Sequence, residues 1–103
     1  MDDIPDNPQV LIPYDRHEAC SISIAAKLAG RSEQTIRNQC KKYHIGRRIG
    51  GQYEVSKPAH LMLLDNDTTA LRAYLAGDRT SERVLKYFER AGVTGSAQKL
   101  KNL

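Results

Sequence analysis

Residues 32–48, from Ser32 to Arg48, read SEQTIRNQCKKYHIGRR and set three arginines, two lysines and a histidine against a single carboxylate, Glu33. A solvated surface helix usually interleaves both signs of charge to gain weak attractions between residues four apart. Here the acid falls in the first turn, where the positive end of the helix dipole favours an anion, and Lys41 and Lys42 fall toward the opposite end. Ser32 is a good N-cap for that start. Ile36, Cys40 and Tyr43, at i, i+4 and i+7, form the predicted buried stripe. The remaining face turns outward with Gln34, Arg37, Asn38 and Lys41, and with Ser32 and Thr35 at its entry.

The outward set has a defined chemistry. Arginine pairs bidentately with guanine, asparagine and glutamine with adenine, and hydroxyls and lysine with phosphates or base edges, so this face is equipped for a DNA major groove. On its N-terminal side, ISIAAKLAG predicts a short helix that starts behind Ser21, buries Ile22, Ala25, Ala26 and Ala29, and stops at Gly30. On its C-terminal side, IGRRIGGQYEVS alternates with period two around Gly50-Gly51-Gln52, which predicts a β-hairpin whose Gly-Gly supplies positive φ. Arg47 and Arg48 stand on its first strand. An isolated strand pair of this length is unstable in water, so the hairpin is expected to pack on the helices as a wing.

The spacing Ala26-x3-Gly30-x5-Ile36, the tripeptide Thr35-Ile36-Arg37 and the basic glycine-containing hairpin followed by Ser56 and a helix together resemble the winged helix-turn-helix of MerR-type regulators and phage excisionases. The resemblance covers roughly residues 21–64. It implies that Ser32 to Tyr43 is a recognition helix and Arg47 to Tyr53 a wing that touches the backbone or minor groove. The implied contacts are Gln34, Thr35, Arg37, Asn38 and Lys41 in the major groove, Lys42, Arg47 and Arg48 on phosphates, Arg31 or Lys27 at the turn, Ser32 at the helix entry and Gln52 at the wing tip. The chain departs from the pattern at Arg31, where an apolar residue is usual, and at Asn38-Gln39, where MerR-type regulators carry aromatics. A long coiled-coil helix and an effector domain are also missing from it, which moves the implied role toward small architectural or mobile-element proteins.

Beyond the hairpin, Ser56 caps a helix with Pro58 in its first turn and with Leu61 and Leu64 predicted inward. Asp67 opens TTALRAYLAG, with Leu71 and Leu75 inward and Gly77 as the stop. Thr80 or Ser81 opens a last helix with Val84, Leu85, Phe88 and Ala91 on one stripe, ending at Gly92. The expected fold is therefore mainly α with a small β-hairpin wing: an acidic, proline-containing N-terminal arm over 1–20, a winged helix-turn-helix over 21–65, a helical hairpin over 66–92 and a basic tail over 93–103. The arm is expected to be extended, with QVLI as an edge strand, and to mask the basic face in the free protein. The helical hairpin is expected to share the core through its first helix and to self-associate through its second.

Composition narrows the function classes. The 103 residues carry a net charge of +4, but residues 1–20 hold −4, residues 21–57 hold +6 and residues 58–103 hold +2. A basic excess concentrated in the middle third favours a polyanion, since each neutralised phosphate releases counterions. A mean hydropathy of −0.57 and the lack of a long apolar run point to a cytoplasmic chain, of bacterial or phage origin by the resemblance, that neither spans nor enters a membrane. With six aromatic residues and no tryptophan the core must be small, so a second copy is an expected partner.

His17-x2-Cys20 and Cys40-x3-His44 have zinc-ligand spacing within each pair. Cys40 falls on the buried stripe, however, and Cys20 just ahead of a helix, so both read as buried thiols and no metal or cofactor is expected. His44 and His60 read as helix-end or surface histidines. No paired carboxylates, nucleophile elbow, P-loop or dinucleotide-binding glycines are present, and no catalytic residue is expected.

The expected function is sequence-specific binding of duplex DNA, as an excisionase-like recombination directionality factor or transcription regulator of a phage or mobile element, with an integrase or polymerase as protein partner. Two alternatives remain open: a small-terminase-like DNA packaging protein, and a protein-interaction module such as an antiactivator.

Overall fold

A computed structural model describes residues 7–93; the acids of residues 1–6 and the basic tail from residue 94 onward lie outside the described residues. The element order is β1 (Ala19–Ser21), α1 (Ile22–Ala29), α2 (Glu33–Tyr43), β2 (Gly46–Ile49), β3 (Gln52–Ser56), α3 (Lys57–Leu64), α4 (Thr68–Leu75) and α5 (Glu82–Arg90). The result is a mainly helical fold with a small three-stranded antiparallel sheet. Among the described residues no helix is long and apolar enough to cross a membrane.

Every helix starts on a side-chain cap. Ser21, Ser32, Ser56, Asp67 and Ser81 each accept a hydrogen bond from the backbone N–H three residues on. Each cap satisfies an otherwise orphaned donor and stabilises its helix by about 1 kcal/mol. Gly30, at φ +65°, ends α1 in the left-handed conformation that residues with a Cβ rarely adopt, and only Gly30, Arg31 and Ser32 separate α1 from α2. Ile22, Ala25 and Ala26 of α1 are buried together with Ile36 and Cys40 of α2, and the two small alanines on the buried face of α1 let the helices approach closely.

The sheet begins with the hairpin. Ile49 pairs with Gln52, leaving Gly50 and Gly51 at φ +58° and +89° as a two-residue turn of the type that matches strand twist. β1 lies on the other side of β3, with Ala19 opposite Ser56 and Ser21 opposite Glu54, so the strand order is β1-β3-β2. Ala19–Ser21 is thus one edge strand and Gly46–Ile49 the other. The QVLI segment instead turns, with Leu11 at φ +55°.

That N-terminal segment is also no loose arm between residues 9 and 21. Val10 and Leu11 are 2% and 1% exposed, the Gln9 N–H donates to the Leu75 carbonyl at 2.7 Å, and Arg79 Nη2 donates to the Gln9 carbonyl at 2.5 Å. Removing residues 1–13 would excise part of the core, so a truncation of that kind cannot serve to unmask a surface. The apolar residues of this segment are covered by the same interior that receives α4 and α5, and one continuous core runs from Val10 to Tyr87.

Two helices are rotated relative to the expected stripes. On α3 the buried residues are Pro58, Ala59, His60 and Met62, while Leu61 is half-buried and Leu64 is 47% exposed. The segment KPAHLMLL is apolar on nearly every side, and its phase is set by the Ser56 cap at the end of β3 rather than by its own pattern. On α5, Val84 and Tyr87 are buried, Phe88 and Ala91 are half-buried and Leu85 is exposed. Tyr87 turns inward because its hydroxyl reaches Asp65 and Asp67, both at 3.0 Å, and Arg90 closes the same cluster on Asp65 at 2.6 Å.

A polar hub sits inside this core. Tyr74 of α4 donates its hydroxyl proton to Glu18, receives the Leu11 N–H at 3.3 Å, and lies 2.9 Å from Ser56 Oγ. The Arg79 guanidinium stacks on its ring at 4.0 Å and caps the Tyr74 carbonyl at 2.7 Å. Burial raises the Glu18 carboxyl above its ordinary pKa, with the Tyr74 hydrogen bond and the Arg79 charge pulling the other way.

Two outcomes follow for stability. Leu11→Ala is expected to cost about 2–5 kcal/mol, measured by urea unfolding, as for any fully buried leucine. The folded chain holds the Glu18 proton more tightly than the unfolded one, so this group's contribution is fully present below the ordinary carboxyl value near 4.5 and is lost as the pH rises through the raised folded value. The urea midpoint of Glu18→Gln relative to the native chain should therefore climb between pH 4 and pH 7.

Candidate nucleic-acid interface

The outward side of α2 is built by its caps. Ser32 Oγ accepts from the Thr35 N–H at 3.1 Å and pairs with Thr35 Oγ1 at 2.9 Å, which fixes both hydroxyls at the helix entry. His44, in the left-handed region at φ +58°, closes the other end by donating its N–H to the Cys40 carbonyl. Between these ends Gln34, Asn38, Lys41 and Lys42 are exposed, as is Ser32, whereas Thr35 and Arg37 are half-buried. Gln34 Nε2 donates to Asn38 Oδ1 at 3.0 Å. One turn of helix thus presents the Gln34 carbonyl and the Asn38 amino group as a linked acceptor and donor.

Arg37 carries an ion pair with Glu33 at 3.3 Å, both side chains being about half exposed. A pair of that kind is worth about 0.3–0.5 kcal/mol and is readily exchanged for a stronger anion. On the hairpin, Arg47 faces Glu54 across the strands, and Glu54 also accepts from the Tyr14 hydroxyl at 3.0 Å. Arg48 donates to the Gly51 carbonyl at 3.0 Å and lies 6.0 Å from the centre of the Tyr53 ring.

Of the residues expected at the site, Arg37, Arg48 and Gln52 line one open cleft of ≈ 420 Å³ between the start of α1, the flank of α2 and the hairpin. Lys27, Arg31, Ser32, Gln34, Thr35, Asn38, Lys41, Lys42 and Arg47 are not on its walls. Lys27 and Arg31 are exposed on α1 and the turn, and the Lys42 ammonium rests 5.2 Å from the Tyr43 ring. The cleft adds residues that were not expected at the site: Ser21, Ile22 and Ser23 at the start of α1, and Gly51 and Tyr53 on the hairpin. The only signal for Ser23 is its position just inside a capped helix.

Cys40 anchors α2 to the root of the hairpin. A Cβ on Gly46 would lie 2.4 Å from the Glu54 carbonyl oxygen and 3.0 Å from Cys40 Sγ, so glycine is required here by close approach of β2 to β3 and α2. Both cysteines are buried and free, and burial pushes the Cys40 thiol up to about 11, leaving it protonated and unreactive. His17 pairs with Asp15 at 3.2 Å, and among the described residues no group of histidine, cysteine and carboxylate ligands comes together for a metal. His60 is not at the surface: it is buried on α3, and burial lowers its pKa below the ordinary histidine value.

No family model matches the chain, and comparisons with curated proteins and with solved structures found no match.

Gly46→Ala should lower stability by about 1–3 kcal/mol in urea unfolding, because the obstructing atom is backbone and the added methyl can be admitted only by moving β3 away from α2.

Proposed function

We propose that this chain binds duplex DNA as a small winged helix-turn-helix protein, with α2 in the major groove and the β2–β3 hairpin as the wing. The observation that carries the reading is the outward face of α2, where Gln34 and Asn38 form a linked amide pair at 3.0 Å beside exposed Lys41 and Lys42. Amides of this kind match the adenine edge, and an α-helix fits the wide groove. The surrounding residues 21–57 hold a net charge of +6, which supplies the sequence-independent attraction to phosphates. On this reading the protein acts by occupying and deforming its site, as an excisionase-like recombination factor or a compact regulator of a mobile element does, and a partner such as an integrase or polymerase carries out the chemistry.

The test is selection of bound fragments from a random duplex pool at two salt concentrations, followed by titration of the enriched site. Affinity should fall steeply with salt, and Asn38→Ala should weaken the enriched site by about 1–3 kcal/mol while leaving binding to unrelated duplex nearly unchanged. A purified chain that retains no oligonucleotide in dilute buffer would remove the reading.

A further inference from the structure

We propose that the cleft between α1, α2 and the hairpin grips one phosphodiester of the duplex between Arg37 and Arg48, so that Arg37 holds the backbone and does not read a base; this rests on the duplex-binding reading above. Four observations converge on it. The two guanidiniums come from separate elements, eleven positions apart in sequence, yet line one cleft. None of the residues lining that cleft is acidic, and Ser23 and Gln52 add neutral hydrogen-bonding groups to its walls. Arg37 is half-buried on the flank of α2, its side chain 43% exposed, whereas Gln34, Asn38 and Lys41 are exposed along the outer line that would enter a groove. Arg48 donates one N–H to the Gly51 carbonyl and lies 6.0 Å from the centre of the Tyr53 ring, which places its guanidinium at the cleft.

The chemistry suits a phosphodiester. A guanidinium offers five N–H donors in a planar fork, and two such forks on either side of one anion saturate its non-bridging oxygens. The exposed Glu33 carboxylate is a weak competitor for Arg37, because a phosphate seated between two cations gains more than a solvent-screened pair does. Such a contact would also set the register of the wing on the same strand that α2 reads. Phosphate contacts position a protein on the duplex without carrying sequence information.

The experiment is a scan of single neutral methylphosphonates across the enriched DNA site, read by titration with the native chain, Arg37→Ala, Arg48→Ala and the charge-keeping Arg37→Lys. The expected result is one phosphate whose neutralisation weakens the native chain but neither alanine variant, with Arg37→Lys recovering part of the sensitivity. Alongside it, the fragment motif enriched by Arg37→Ala should be unchanged, and the slope of log affinity against log salt should fall by about 0.9 for the single lost contact. Relaxed preference at one base pair in Arg37→Ala would overturn the proposal and leave duplex binding intact. Loss of sensitivity at two different phosphates for the two variants would do the same. Inorganic phosphate alone, titrated against the full chain and followed through the Ser23 and Gln52 amide signals, should show no saturation in the millimolar range; saturation would make this a free-anion site. Failure of the native chain to bind any duplex would be a failure of the underlying reading, and is distinguishable because no phosphate position would then matter.

Discussion

The hydroxyl of Tyr74 joins parts of the chain that no local rule would bring together. It meets the backbone of Leu11, the carboxyl of Glu18 and the hydroxyl of Ser56, residues up to 63 positions away in sequence. Burying a carboxyl is costly unless its lone pairs are satisfied and a cation stands near. Here the Tyr74 and Ser56 hydroxyls supply the hydrogen bonds, and Arg79, stacked on the Tyr74 ring, supplies the charge. A half-satisfied group of this kind would be worse than an apolar core, so the hub admits one arrangement of the N-terminal segment, β3 and α4.

The candidate interface depends on that arrangement through a short chain of contacts. Ser56 is at once a member of the hub, the last residue of β3 and the cap of α3. β3 carries the hairpin, and the root of the hairpin is pressed against α2 at Gly46 with no room for a methyl group. The distance between α2 and the wing is therefore set by the Cys40 sulfur seated against Gly46. The long side chains that face outward from these elements keep their freedom, and their weak pairings with one another are exchangeable for those of a ligand.

Much of this was legible because it is local. Five capping residues announce five helix starts, Gly50-Gly51 announces the hairpin, and the i, i+4 spacing of Ile36 and Cys40 gives the buried side of α2. What stayed hidden is non-local or lacks a pattern. A three-residue strand such as β1 is too short to show alternation, and Val10 and Leu11, flanked by prolines, resemble a linker until the groove that covers them is known. The phase of α5 has no local signal, because the Tyr87 hydroxyl donates to Asp65 and Asp67 in the α3–α4 connection. The cleft shared by Ser23, Arg37 and Arg48 exists only after three elements have come together, so the sequence offers the two arginines but not their convergence.

The packing of Leu11 against α4 also constrains how the molecule is made. As the chain leaves the ribosome, Val10 and Leu11 emerge first and their cover last, because Tyr74 and Leu75 follow more than sixty residues later. Synthesis of that span takes seconds, whereas a helix or a hairpin forms within microseconds. The helices and hairpin of the middle third therefore form ahead of the interior that fixes them, with two aliphatic side chains waiting in water. A fragment that stops before α4 is, in physical terms, an unfinished translation product rather than a smaller domain.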